Sequence, residues 1–525
     1  MKPTSVLLGS MAASIALAAT VVTPAHAATV TGLYGGGSTL VEKVYRDLFN
    51  AYGSTSGNEL CAGLTTTCPT SHYNAAVELL YVGVGSGNGK KALNGYDPTL
   101  YVTGDKKPDA TPTPSGHDLG IFYGTGFGAS WQPGTGTGPY YPKVTFSGSD
   151  DVLGSSDVSA VAALGFGPVI QLPGLVAAIA VPFKPIGAGW NPKGVKPVGG
   201  SSQVQLSTNT LCGIFTGAIT NWNDPEIQKD NKNVKLGTGK ITVAYRNDGS
   251  GTTFIFSNAL LNQCGTQSHR AAKSTHPIPD KWVADNGLTY KASVPHWLSN
   301  TSFFINVFNA HDLPSNFLNN KTLTGVTGGA SGSGGIKAAI NATPGSIGYV
   351  SPDFVLPVDA SGPQAANLQT LASHNAGSTP VYVAPTATGA TLAMASAKPP
   401  AFPTAAKDPL NWGAVAPRPT GLKAYPISGF SFIDLYSCYS SATDVAALVG
   451  KTAGKYGYLT WYYGAGSVNK NVPKNILAAD GFAPVPPAWA TAINKLLVDP
   501  NLGIGTPKKG ATAGTKACRT VTKGA

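Results

Sequence analysis

No motif in this chain of 525 residues offers ready-made catalysis or nucleotide binding. A phosphate loop of the GxxxxGK[ST] kind is absent: in the nearest run Val84 occupies the first glycine position and Lys91 the Ser/Thr position. No GxGxxG opens a helix after a strand, and HExxH and GxSxG are missing. His72, His117, His269, His276, His296, His311 and His374 show no paired-ligand spacing, and the cysteines form no CxxC. Neither a metal nor a cofactor is therefore expected. Beyond residue 27 no apolar run reaches the length of about 18 residues that a membrane span needs. Charged residues are scarce at 12 %, and the net charge of +11 is scattered apart from Lys508, Lys509, Lys516, Arg519 and Lys523. Without a basic, aromatic-lined stripe, nucleic acid is not an expected partner. The excess charge instead favours small anions through a weakly focusing field.

What is present describes an exported, folded, loop-rich protein. Lys2, the apolar or small run Val6 to Val22 and Ala25-His26-Ala27 have the form of a secretory signal peptide over residues 1–27. No Cys follows the apolar run, so anchoring through an N-terminal lipidated Cys is not expected. The destination is most simply a bacterial periplasm, with secretion as the alternative. Gly (65) and Pro (40) are abundant, but 42 % of the chain is hydrophobic, and its length suits two or more cored domains. The six cysteines, even in number and all in the exported part, suggest three disulfides. Cys61 and Cys68 are close enough to close a short loop. Cys212, Cys264, Cys438 and Cys518 could pair in more than one way.

Four small-residue turns carry the chemical signal. Tyr245-Arg246-Asn247-Asp248-Gly249-Ser250-Gly251-Thr252-Thr253 lies between a strand-like run, Ile241 to Tyr245, and a helix-like run, Phe254 to Leu261. A turn there exposes backbone N–H groups at the positive end of a helix dipole, with the Ser250 and Thr252 hydroxyls beside them. Arg246 adds a cationic fork suited to a tetrahedral oxyanion. Taken alone, this segment reads equally well as a tight turn with an Arg–Asp surface pair. Gly35-Gly36-Gly37-Ser38-Thr39 precedes Leu40 to Tyr52, where Leu40, Val41, Val44, Tyr45, Leu48, Phe49 and Tyr52 mark one helical face. Gly83 to Gly89 follows the strand-like Val77 to Val82, and Ser147 to Asp151 follows Val144 to Phe146. Four such turns at strand ends predict an open α/β protein whose ligand sits at the carboxyl ends of strands.

With these turns in view, the chain resembles the periplasmic phosphate-binding proteins of ABC transporters, and among them the DING family. Thr31-Gly32 with Tyr34 to Leu40 is similar to the DING N-terminus, although the DING letters themselves are missing. Tyr81 to Lys90 is similar almost letter for letter. Leu211 to Gly217 with Asn221 to Asp224, Val243 to Phe254, Pro344 to Val350 and Tyr425 to Gly429 complete the series; Asp248-Gly249 is nearer the transporter proteins. Matches span residues 30 to 500, with unfamiliar insertions at 53–75, 94–140 and 375–420.

The resemblance implies a two-lobed type II periplasmic-binding fold with the ligand in the cleft between lobes. Lobe one would comprise residues 28–174 and 346–525, and lobe two 175–345. Leu175 to Val181 would cross the hinge and Ile347 to Val350 would return. It also implies pairing of Cys212 with Cys264 and of Cys438 with Cys518. The implied phosphate ligands are Thr39, Leu40, Ser86 and Asp150 on lobe one, and Arg246, Ser250, Gly251 and Thr252 on lobe two. Asp248 would orient Arg246. An ionised Asp150 can only accept, so it requires a ligand that retains a proton. The implied function is delivery of inorganic phosphate to an ABC permease by a monomer that is not membrane-embedded. An exported phosphomonoesterase, with Asp150 or Ser250 acting, and a secreted phosphate scavenger are the alternatives.

Overall fold

The computed structural model describes residues 31–53, 73–74, 76–101, 143–187, 189–190, 204–216, 219–264, 329–416, 418–452, 455–464, 471–507 and 516–525. The expected signal segment, Cys61, Cys68, most of the first two insertions, and Lys508 and Lys509 of the basic C-terminal cluster lie outside the described residues.

The first lobe is built on a six-stranded mixed sheet. Strands β1 (Thr31–Gly37), β2 (Val77–Gly83) and β3 (Phe146–Ser149) are parallel, with Gly37 level with both Gly83 and Gly148. All three are wholly or nearly wholly buried, as their continuous apolar and small-residue composition requires of parallel strands. Beyond β3 the order continues through a late strand, Ser428–Tyr436, to β4 (Val169–Ala178). The chain then leaves this sheet. Two-residue strands β5 (Pro182–Phe183), β7 (Thr242–Val243), β8 (Ser346–Ile347) and β9 (Gln364–Ala365) form the second lobe's sheet in the order β7-β8-β5-β9. Beside it β6 (Gln205–Leu206), β10 (Asn367–Gln369) and β11 (Tyr382–Val383) form a three-stranded sheet. The late strand is β12; a small hairpin, β13 (Lys451–Thr452) with β14 (Lys455–Tyr456), and an edge strand, β15 (Ala483–Pro484), follow it.

This topology corrects the expected lobe boundaries. Leu175 to Ala178 still pair with β12, so the outward crossing falls at Ile179 to Val181. Ala180 and Val350 do form an antiparallel bridge where the two crossing segments run side by side. Residues 346–347 and 364–369 nevertheless pair with strands of the second lobe, and the chain returns to pack on β4 only with the helix Ala387–Ala393. Strands of two or three residues carry too little periodicity to be seen in sequence.

Helix α1 (Glu42–Tyr52) has the expected apolar face, and Leu40, Val41, Val44, Tyr45, Leu48, Phe49 and Tyr52 are all buried. Its polar face is buried too. Lys43 reaches Asp480 at 2.9 Å, and Glu42 accepts the Gly83 N–H at 2.9 Å. Helix α2 (Ser86–Gly95) begins inside the glycine-rich segment that the sequence reads as a turn. A Cβ on Gly89 would meet the Gly37 Cα at 2.6 Å, so glycine lets this helix lie directly against β1. Helices α3 (Ser155–Leu164), α4 (Thr208–Thr216), α5 (Pro225–Asp230), α6 (Gly251–Cys264) and α7 (Gly332–Ala342) follow. A disulfide joins Cys212 in α4 to Cys264 at the end of α6, and another joins Cys438, just past β12, to Cys518.

Near the hinge, Asp353 is fully buried and accepts from the Ser351 hydroxyl. Burial raises its carboxyl from 3.8 to about 7, against the opposing pull of Lys43 and of the Ser351 hydrogen bond. A carboxyl with a raised folded pKa binds its proton more tightly folded than unfolded, so stability falls as pH rises from 3.8 to about 7. Asp353→Asn removes this contribution. The loss of stability of the ligand-free protein between pH 4 and 7 should shrink by up to a few kcal/mol, at about 1.4 kcal/mol per pH unit. Thermal melts across that range check this; an unchanged slope would mean that Asp353 is already ionised at pH 4.

Candidate functional site

The three parallel strands end level, so the segments leaving them open onto one edge of the first sheet. Ser38 and Thr39 leave β1, Ser86 begins α2, and Asp150 follows β3; all four side chains are buried. The segment between β7 and α6 meets this edge from the second lobe. A Cβ on Gly251 would stand 2.5 Å from the Ser86 Oγ and 2.6 Å from the Asp150 N, so only glycine allows this approach. The Gly87 N–H donates to the Gly249 carbonyl at 3.0 Å, a backbone bond directly between the lobes. The structure thus brings Thr39, Leu40, Ser86, Asp150, Arg246, Ser250, Gly251 and Thr252 to one place.

Each group is held by an identifiable partner. The Ser250 hydroxyl accepts from the Thr253 N–H at 3.1 Å, as a capping side chain does in the first turn of a helix. Arg246 is 2 % exposed and donates through Nε and Nη2 to both oxygens of Asp248. That bidentate pair fixes the plane of the guanidinium and leaves its remaining N–H groups for another acceptor. Asp248 is held in turn by the Gly332 N–H at 3.2 Å, and Arg246 keeps its carboxyl below its ordinary value despite burial. The Arg246 backbone N–H donates to the Tyr349 hydroxyl at 3.1 Å. Tyr349 also bonds Thr253 at 2.8 Å and stacks on Phe256 with 4.4 Å between ring centroids. The segment Pro344 to Val350 therefore braces the arginine turn.

Asp150 is 1 % exposed and is the acceptor among these donors. The Ser38 hydroxyl donates to its Oδ2 at 2.7 Å and the Ser431 hydroxyl to its Oδ1 at 2.7 Å. Thr252 Oγ1 lies 3.5 Å from Oδ2, at the outer limit of a hydrogen bond. Burial raises the Asp150 carboxyl to about 6, and Ser431, Ser38 and Arg246 oppose the rise. It is therefore mostly ionised at neutral pH.

Three serines in this arrangement were not singled out in sequence. Ser38 stands beside Thr39 and also accepts the Leu40 N–H at 3.1 Å, so that N–H is engaged within the turn. Ser333, in the first turn of α7, receives no warning from any motif. Its N–H donates to Thr39 Oγ1 at 3.1 Å and its hydroxyl lies 3.2 Å from the same atom. Ser431 follows the Tyr425 to Gly429 segment by two residues, which is the only sequence signal for it. Among the described residues no group of three His, Cys, Asp or Glu side chains could hold a metal ion, and no helix is long and apolar enough to cross a membrane. A cavity of about 590 Å³ lined by Gln171, Pro403, Trp412 and Leu496 shares no residue with this convergence.

Comparison with known proteins agrees with the resemblance read from the motifs. Alkaline phosphatase L of Pseudomonas aeruginosa is 27% identical over 509 residues, covering 94% of this chain and 95% of that protein. A protein named phosphate-binding protein, from an unidentified prokaryotic organism, is 26% identical over 476 residues, covering 87% and 92%. The crystal structure of a DING protein superposes with a TM-score of 0.58 at 23% identity, covering 94% of this chain and 99% of that one. At that identity the likeness speaks for the fold. A family model described as a PBP superfamily domain matches residues 22–433, and the chain belongs to that superfamily.

Proposed function

We propose that this protein binds inorganic phosphate outside the cytoplasmic membrane, as a monomer, and delivers it to an ABC-type permease. The observation that carries this reading is Asp150: one buried, largely ionised acceptor amid donors from both lobes. Thr39, Ser86, Arg246, Ser250, Gly251 and Thr252 supply hydrogen-bond donors for phosphate oxygens, and Asp248 holds the guanidinium in plane; the Leu40 N–H, expected among the donors, is taken by the Ser38 hydroxyl. Asp150 accepts a hydrogen bond from the proton that phosphate retains at neutral pH. Sulfate has none, so it would set acceptor against acceptor at a cost of several kcal/mol. Relatives named for phosphate binding support the reading.

A second reading, an exported phosphomonoesterase, draws on the relative named Alkaline phosphatase L. The Ser38 hydroxyl, 2.7 Å from Asp150, is the nucleophile–base pair it would use. Turnover of p-nitrophenyl phosphate by pure protein, lost in Ser38→Ala, would establish it over the receptor reading.

Calorimetry of refolded, ligand-free protein should give one phosphate per chain with Kd micromolar or tighter, or about −8 kcal/mol and beyond. Affinity weaker than millimolar would end the receptor reading. In Asp150→Asn the amide gains a donor and loses the charge, so sulfate should gain on phosphate in competition. An unchanged ratio would take Asp150 out of the site.

Arg246→Ala should cost more phosphate affinity than Ser86→Ala, since charge-assisted contacts are roughly twice as strong as neutral ones. Equal losses in the same titration would reduce Arg246 to a structural partner of Asp248.

A further inference from the structure

Ser431 belongs to none of the turns that announce the site. It lies on β12, which runs antiparallel between β3 and β4. Phe432 pairs with Ser149, so the residue before it stands beside Asp150, just past the end of β3. At this point the pairing of β12 with β4 is irregular, the extra residue lying in β4. Ser431 faces Leu175 while Phe432 faces Pro173, which leaves Gly174 of β4 without an opposite residue. The carbonyls of that bulge are taken by the Tyr462 hydroxyl on Gly174, at 2.8 Å, and the Tyr463 hydroxyl on Pro173, at 2.9 Å. Bulges re-aim side chains, and this one accompanies a serine whose hydroxyl meets Asp150 Oδ1 at 2.7 Å. Ser431 is wholly buried.

We propose that Ser431 is a specificity-determining residue: its hydroxyl keeps Asp150 an ionised acceptor, and so keeps the site selective for oxyanions that carry a proton. The inference rests on the phosphate reading of the site. A carboxylate withdrawn from water without donors takes up a proton, and a protonated carboxyl becomes a donor. Such a group would welcome sulfate as readily as hydrogen phosphate. The surroundings of Asp150 give Ser431 this weight. Arg246, from the β7–α6 segment, favours the charged form, whereas Asp151 disfavours it. Tyr45 of α1 and Tyr81 of β2 also face Asp150, but burial holds both phenols protonated. Ser38 donates to Oδ2 while also accepting the Leu40 N–H. Ser431 is the donor on Oδ1, and its hydrogen bond is the largest influence holding the carboxyl down.

The selectivity window follows from the sign of these effects. With Asp150 at about 6, discrimination against sulfate is present above that pH and lost below it. Removing a donor to the carboxylate raises its pKa, so the window closes from the acid side. The test compares wild type, Ser431→Ala and Ser431→Thr, the last keeping a hydroxyl. Asp150 is titrated through the ¹³C shift of its labelled carboxyl, assigned with Asp150→Asn, and sulfate is competed against phosphate from pH 5 to 9. In Ser431→Ala the carboxyl midpoint and the onset of sulfate competition should both move up by about one pH unit or more, with Ser431→Thr close to wild type. A midpoint unmoved in Ser431→Ala overturns the inference, even if phosphate affinity falls evenly at all pH values. If the midpoint moves but wild type binds no phosphate, the receptor reading fails instead, while the hold of Ser431 on Asp150 stands.

Discussion

Asp150 lies buried with a serine hydroxyl on each carboxylate oxygen and the charge of Arg246 favouring its ionised form, and much of the neighbouring architecture holds it there. Removing a carboxylate from water is costly unless hydrogen bonds replace the lost hydration. The groups that favour the charge come from far apart in the chain: the donors Ser38 after β1 and Ser431 on β12, and the positive charge of Arg246 from the second lobe. Their meeting depends on the level ends of three parallel strands and on glycines that admit backbones where a Cβ would collide.

The contacts between lobes use the same groups. Thr39 meets Ser333 at the start of α7, the Gly87 N–H meets the Gly249 carbonyl, and Gly251 lies against Asp150. In the proposed site, contact between the lobes and ligand recognition would therefore draw on the same residues. The disulfide between Cys212 and Cys264 anchors the far end of α6, the helix whose first turn reaches across the cleft.

The parts legible in sequence are those whose signal is local. Helix α1 declares itself by seven apolar side chains at helical spacing, and Arg246 by its place in a strand-to-helix turn. The fold class followed from four turns read together and from the resemblance they support. Other features were hidden for physical reasons. Helix α2 opens in four residues, Ser86 to Gly89, that include two glycines, because close packing against β1 outweighs their poor helix propensity. The return from the second lobe runs through strands too short to show a period. Ser333 and Ser431 are single hydroxyls whose roles arise only from long-range register, and register is not written in local composition.

Strand β12 occupies the middle of the first sheet, between β3 and β4, although it begins almost 250 residues after β4 ends. The first lobe therefore cannot close its sheet, or surround Asp150, until the chain has been made at least to Tyr436. Until then β3 and β4 lack the strand that lies between them in the folded sheet. Folding that waits on such distant pairing is slow. It leaves the growing polypeptide without its native first sheet for most of its synthesis, a state in which it can be threaded through a narrow passage or captured by a chaperone.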